Sequence, residues 1–164
     1  AEDVQIIQDY AERNRQIIIR EILKGMKWKA VEQFSVAHNY LDASGMLRKG
    51  AIAAGKEAKV IIPANMRDGM ILGIGLGNED WNCSAPHGSG RRLRREDVKS
   101  RYTVSDFKRE MKGIYSSCIG ADTLDEAPFA YRSIAETAEQ IRDSIRITEI
   151  LRPVYNYKAG RKEP

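Results

Sequence analysis

"KVIIPANMRDGMILGIGLG", Lys59 to Gly77, is the passage that settles the fold class. The runs "KVIIPA" and "MILGIGLG" are dense in β-branched and aliphatic residues. They flank "NMRDG", where asparagine, aspartate and glycine favour a turn. The spacing predicts two strands joined tightly. The glycines of "GIGLGN" echo a dinucleotide-binding fingerprint only faintly, and no lysine followed by serine or threonine completes a GxxxxGK phosphate loop. We assign them to strand packing and turning.

Towards the amino terminus, Ile6, Ile7, Tyr10, Ile17, Ile18 and Leu23 stand among charged residues, with the polar "AERNR" between them. Their roughly 3.6-residue period predicts a long helix over 5–24 that ends near Gly25. "VEQFSVAHNYLD", Val31 to Asp42, reads as a strand leading to a turn at Ser44 and Gly45. Towards the carboxyl terminus, Asn78 to Ser89 reads as a loop. Ser105 then precedes Phe107, Met111 and Ile114 at helical spacing. A capping box of Ser133 and Glu136 opens a second helix through Ile134, Ala138, Ile141 and Ile145, which Pro153 ends. "VYNYK", Val154 to Lys158, alternates as a short terminal strand. The sum is α+β, a mixed sheet with packed helices, with no internal repeat.

The 164 residues suffice for one domain with a hydrophobic core. An apolar fraction of 42% with 30% charged residues excludes intrinsic disorder and a fibrous repeat. No apolar run approaches the ~20 residues of a membrane span, and the charge-studded opening is unlike a signal peptide. Two cysteines, Cys83 and Cys118, do not make a disulfide framework, so a reducing, cytoplasmic setting is expected. The opening "AEDVQIIQDY" lacks methionine while its amphipathic pattern is already running, which suggests a piece of something longer or a removed initiator methionine.

The chemistry concentrates in "SAPHGSGRR", Ser84 to Arg92, which holds one of the chain's two histidines. Gly88 and Gly90 remove two β-carbons beside His87, so the backbone there can approach a ligand and aim N–H groups at an anion. From His87 to Arg101, the basic residues Arg91, Arg92, Arg94, Arg95, Lys99 and Arg101 face only Glu96 and Asp97. That is either a solvated helix face or a surface for a phosphate-rich partner. A neutral imidazole keeps one ring nitrogen free near pH 7. His87 is therefore either a loop imidazole bonded to a carbonyl or a nucleophile towards phosphorus. His38, in the expected strand, reads as buried and satisfied. One histidine is too few for a metal site.

"HNYLD", "LRKGAIAA", "IPANMRDG", "GNEDWNCSAPHGSGRRLRRED", "LDEAPFAYR" and "RPVYNYK" follow one another in an order and spacing that resemble the carboxy-terminal half of RtcB-type RNA-splicing ligases, over nearly the whole chain. The resemblance implies a GTP- and Mn2+-dependent enzyme that joins RNA 3′-phosphate or 2′,3′-cyclic phosphate ends to 5′-hydroxyl ends. It implies that His87 carries GMP covalently and that Gly88, Ser89 and Gly90 line the nucleotide. It puts Asn39 beside the nucleotide, the turn of Pro63, Ala64, Asn65 and Met66 over it, and Lys158 and Tyr131 at the guanine base. His38 matches a manganese ligand.

Departures from the family pattern are Ser89 for alanine, "ANMR" for "GSMG", and Leu93, Arg94 and Arg95 for "MSR". Arg67 adds a charge within reach of a phosphate. The family's other metal ligands, an aspartate, a cysteine and two histidines, belong to an amino-terminal half. The resemblance thus implies an incomplete part of a ligase, inactive alone, with that missing half and broken RNA as partners and no membrane association. The alternatives are a non-catalytic basic RNA-binding module or half of a split ligase.

Overall fold

A computed structural model describes residues 2–158. Helix α1 (Glu2–Met26) opens the chain. It overshoots Gly25 and stops where Lys27 takes a left-handed φ of 56° and the Trp28 N–H returns to the Leu23 carbonyl at 2.9 Å. Strands β1 (Tyr40–Leu41), β2 (Leu47–Arg48), β3 (Ala51–Ala53), β4 (Lys59–Pro63), β5 (Met70–Gly75) and β6 (Ser84–Pro86) follow. Helices α2 (Arg95–Arg101) and α3 (Val104–Glu110), strand β7 (Tyr115–Ser116), helix α4 (Ile134–Ile141), and strands β8 (Ile145–Leu151) and β9 (Tyr155–Asn156) complete the described chain.

The decisive passage is the expected hairpin. β4 and β5 pair antiparallel from Lys59 opposite Ile74 to Pro63 opposite Met70, and β8 adds to the far side of β5. The turn is shaped by Asn65, whose side-chain oxygen accepts from the Arg67 and Asp68 amides at 3.0 and 2.9 Å. Val60, Ile62 and Ile71 turn to one face and are fully buried with Ile52, Ala85, Ile141 and Ile145. Burial of each large aliphatic side chain stabilises the fold by about 1.5–3 kcal/mol. Gly75 has a packing role: an added Cβ would lie 2.3 Å from the Gly55 carbonyl oxygen.

A second core gathers Val98 of α2, Phe107 of α3, Met111, and Leu124, Ala127 and Ala130 from two short 3-10 turns. Met66, carried on the β4–β5 turn, belongs to this second cluster. The turn therefore bridges the two cores, and the groove between them is where the candidate residues assemble. Among the described residues antiparallel ladders dominate, and the one parallel ladder joins β7 to β9. The class is α+β.

Four expectations need correction. Val31 to Asp42 is irregular apart from Tyr40–Leu41. Its residues are instead tied to α1: the Ser35 hydroxyl donates to Glu12 at 2.9 Å and accepts from Arg15 at 3.1 Å. The Gln8 carboxamide pairs with Leu41 in both directions, accepting its N–H at 2.7 Å and donating to its carbonyl at 3.1 Å.

The Asn78–Ser89 loop contains a short 3-10 turn, Glu79–Trp81, and strand β6, which pairs with β3. The helix opened by the Ser133–Glu136 capping box ends at Ile141, far short of Pro153. Ile145 to Leu151 alternates β-branched and polar residues and is captured as a strand by the free edge of β5. The helix near Ser105 begins two residues earlier than expected, because Thr103 and Asp106 form its capping box.

Candidate functional site

The ends of β4, β6 and β9 open on a cavity of about 800 Å³. Pro63 to Met66 form one wall, His87 to Gly90 another, and Tyr131, Asn156 and Lys158 the far end, with His38 at the margin.

His87 is exposed and firmly oriented. Its backbone N–H reaches the Gly50 carbonyl at 3.3 Å, and its ring Nδ1 lies 2.7 Å from the same oxygen. A carbonyl only accepts, so Nδ1 carries the proton and Nε2 presents a lone pair. The carbonyl bond of the first reading is present, and it leaves the lone pair of the other ring nitrogen uncommitted to Gly50. The Gly50 N–H donates to the Asn39 side-chain oxygen at 2.7 Å, and Asn39 sits at a left-handed φ of 62°. Asn39 is not part of the cavity wall and acts one step back, through Gly50.

His38 is exposed rather than buried, because the segment that carries it is not a strand. Its ring stacks on His87 with centroids 4.9 Å apart and planes 10° from parallel. Partial desolvation, then the neighbouring His87 and Arg15, hold its pKa below the usual histidine value, so the ring is neutral at pH 7. It offers a metal one nitrogen. Among the described residues no three histidine, cysteine, aspartate or glutamate side chains gather into a group that could hold a metal ion. These residues do not constitute a manganese site by themselves.

Ser89 is buried, with its hydroxyl donating to the Ala64 carbonyl at 2.9 Å and its N–H to Pro63 at 3.1 Å. It fastens the two walls together. Gly90 has φ 73°, a conformation L side chains resist, while its carbonyl accepts from the Arg132 N–H at 3.1 Å. Among the described residues the Gly88 and Gly90 amides have no protein acceptor, which leaves them available to an anion. Asn65 is committed to its own turn, with its amide nitrogen donating to Asp68 at 3.0 Å. Arg67, expected within reach of a phosphate, is spent on ion pairs with Asp68 at 2.8 Å and with Glu110.

At the far end, Glu126 collects the polar groups. Its Oε2 accepts from the Tyr131 hydroxyl at 2.5 Å and from the Lys158 ammonium at 2.8 Å. Its Oε1 accepts from Arg91 at 2.7 Å, with Arg95 at 3.1 Å. Arg91 also donates to the Tyr131 oxygen at 2.9 Å. Burial would raise the Glu126 pKa, but hydrogen bonds from Lys158 and Tyr131 outweigh it and hold the carboxyl at about 2. Burial and the same carboxylate push the Tyr131 phenol up to about 12.

The basic cluster divides. Arg91 and Arg95 pair with Asp125 and Glu126, and Arg92 pairs with Glu136. Among the described residues Arg94, Lys99 and Arg101 have no acidic partner and remain for an external anion.

The model of the family described as tRNA-splicing ligase RtcB matches residues 1–159. The chain belongs to the RtcB family. It is 30% identical over 146 residues to the RNA-splicing ligase RtcB of Escherichia coli K12, a stretch that is 85% of this chain and 36% of that protein. RNA-splicing ligase RtcB2 of another Escherichia coli strain is 29% identical over 156 residues, 88% of this chain and 40% of its own length. The tRNA-splicing ligase RtcB of Aeropyrum pernix is 31% identical over 103 residues, 58% of this chain and 21% of its own. The chain thus spans well under half the length of these RtcB relatives.

Within the RtcB family chain, eleven of the twelve site residues expected from the sequence line one cavity, and Asn39 stands just behind it. Two contributors escaped the sequence reading. Gly50 acts through its carbonyl, a group every residue has. Glu126 could have been found, since the acids of "LDEAPFAYR" are the natural counter-charges for "GRRLRR".

Proposed function

We propose that this chain is the nucleotide-carrying part of a GTP- and Mn2+-dependent RNA ligase, which joins RNA 3′-phosphate or 2′,3′-cyclic phosphate ends to 5′-hydroxyl ends. The observation that carries the reading is the His87 ring, fixed by Gly50 so that Nε2 presents its lone pair beside a cavity large enough for a nucleotide.

In this reading Nε2 attacks the α-phosphorus of GTP, a nitrogen–phosphorus bond forms, and pyrophosphate leaves with the electrons of the broken phosphoanhydride bond. Nδ1 keeps its proton, hydrogen-bonded to the Gly50 carbonyl, so the guanylated ring is an imidazolium and a good leaving group. Where the RNA end is a 2′,3′-cyclic phosphate, water first opens that ring. An RNA 3′-phosphate oxygen then attacks the same phosphorus, and the nitrogen–phosphorus bond breaks with its electrons returning to Nε2. The 5′-hydroxyl displaces the GMP to form the phosphodiester. The free amides of Gly88 and Gly90 are placed to receive phosphate oxygens. Of the chain's own residues only His38 would be given to manganese, so a full metal site needs donors from outside these residues. No step above is assigned to it.

The test is mass analysis of the full-length protein after incubation with GTP and manganese. The expected result is a gain of one guanylate on the peptide that contains His87, abolished by His87→Ala with folding intact. Adduct formation on another residue, or none in the wild-type protein, overturns the reading.

A further inference from the structure

Glu126 binds the Tyr131 hydroxyl and the Lys158 ammonium at the far end of the cavity, together with Arg91 and Arg95, and the direction of its bonds is informative. The Tyr131 hydroxyl has one proton, and Glu126 takes it at 2.5 Å. One of its two lone pairs receives Arg91 at 2.9 Å. What remains for a ligand is a single acceptor lone pair. Lys158 gives one of its three N–H groups to the same Glu126 oxygen at 2.8 Å and keeps two donors. Because Tyr131 and Lys158 share one carboxylate oxygen, an acceptor and a donor stand side by side.

We propose that Glu126 is a specificity-determining positioning residue, which fixes Tyr131 as a hydrogen-bond acceptor beside Lys158 as a donor and so selects a 6-oxopurine over a 6-aminopurine. Guanine presents a carbonyl oxygen next to a ring N–H, an acceptor and a donor that complement Lys158 and Tyr131. Adenine presents an amino group next to a bare ring nitrogen, the reverse order, and meets a donor with a donor. The carboxyl held at about 2 and the phenol at about 12 keep this polarity constant across the working pH range. The inference rests on the nucleotide reading of the cavity and adds to it a residue that need not touch the base.

The experiment measures guanylation and adenylation of His87 in the full-length protein over a range of GTP and ATP concentrations. Loss of a polar match of this kind is worth roughly tenfold or more in discrimination. In Glu126→Ala the phenol proton is released, so the half-saturating GTP concentration should rise and the preference for GTP over ATP should fall, each by about tenfold. The rate at saturating GTP should stay within about twofold, because His87 and Gly50 are untouched. Glu126→Gln, which keeps the side chain's shape, guards against misfolding of the alanine variant and should show an intermediate loss.

A double-mutant cycle adds a readout that a merely structural role would not move. Once Lys158→Met has removed the donor, Glu126→Ala should cost much less discrimination than it does alone. Unchanged preference in a folded Glu126 variant, or full additivity with Lys158→Met, overturns the proposal and leaves the guanylation of His87 standing. Absence of any adduct in the wild-type protein overturns both.

Discussion

A single residue, Gly50, organises the histidine end of the site. The Gly50 carbonyl orients His87 and its amide is held by Asn39, so the tautomer is fixed by backbone geometry. At the other end Glu126 does the comparable work with a charge, and this has a consequence for acid stability. Its folded pKa lies at about 2 against an ordinary value of 4.5, so the folded state holds the carboxylate where the unfolded chain would take a proton. The stabilisation is fully present above pH 4.5 and is lost as pH falls towards 2. Chemical denaturation between those limits should therefore show a shallower pH dependence in Glu126→Gln than in the parent, and parallel profiles would count against the ion pairs. His87 was legible in the sequence because histidine beside glycines and arginines is chemically conspicuous. The carbonyl that aims it was not, because backbone groups carry no sequence signal.

Strands and helices were legible where periodicity and a local stop signal agreed. The β4–β5 hairpin combines aliphatic runs with an asparagine that builds its own turn, and α4 carries both halves of its capping box. β8 was misread because Ile141 and Ile145 also fit a helical stripe, and only the open edge of β5 decides that Ile145 to Leu151 is extended. The Val31–Asp42 run has strand composition but gains no partner beyond Tyr40–Leu41, so propensity alone does not make a sheet there. The hairpin also contains a position that tolerates change poorly. In Gly75→Ala the new Cβ would meet the Gly55 carbonyl oxygen at 2.3 Å, backbone that cannot swing aside. A loss of about 1–3 kcal/mol or more is expected in denaturant melts. A neutral outcome would show that the Ala54–Gly55 segment shifts readily.

Across the whole molecule the stability is uneven. α1 is the longest element and contains no buried residue, with Ile6, Ile7, Tyr10, Ile17, Ile18 and Ile22 all exposed. Strand β5, between β4 and β8, has alternate residues fully enclosed. Native-state hydrogen exchange of this chain should therefore show α1 amides opening well below the global unfolding free energy and β5 amides opening with it. Equal protection would mean that α1 docks more firmly than its exposure allows. No helix of the described residues is long and apolar enough to cross a membrane.

The polar latches of α1 to the body fall on one stripe of the helix. Gln8 mimics a neighbouring strand for Leu41, while Glu12 and Arg15 clasp Ser35 one and two turns further on. Because an α-helix advances about 100° per residue, adding a single residue between positions 8 and 12 would swing the later latches a quarter-turn out of phase with the first. The helix works like a toothed key: its sequence spacing, more than its length or its apolarity, determines whether the segment leading to His38 is delivered to the cavity.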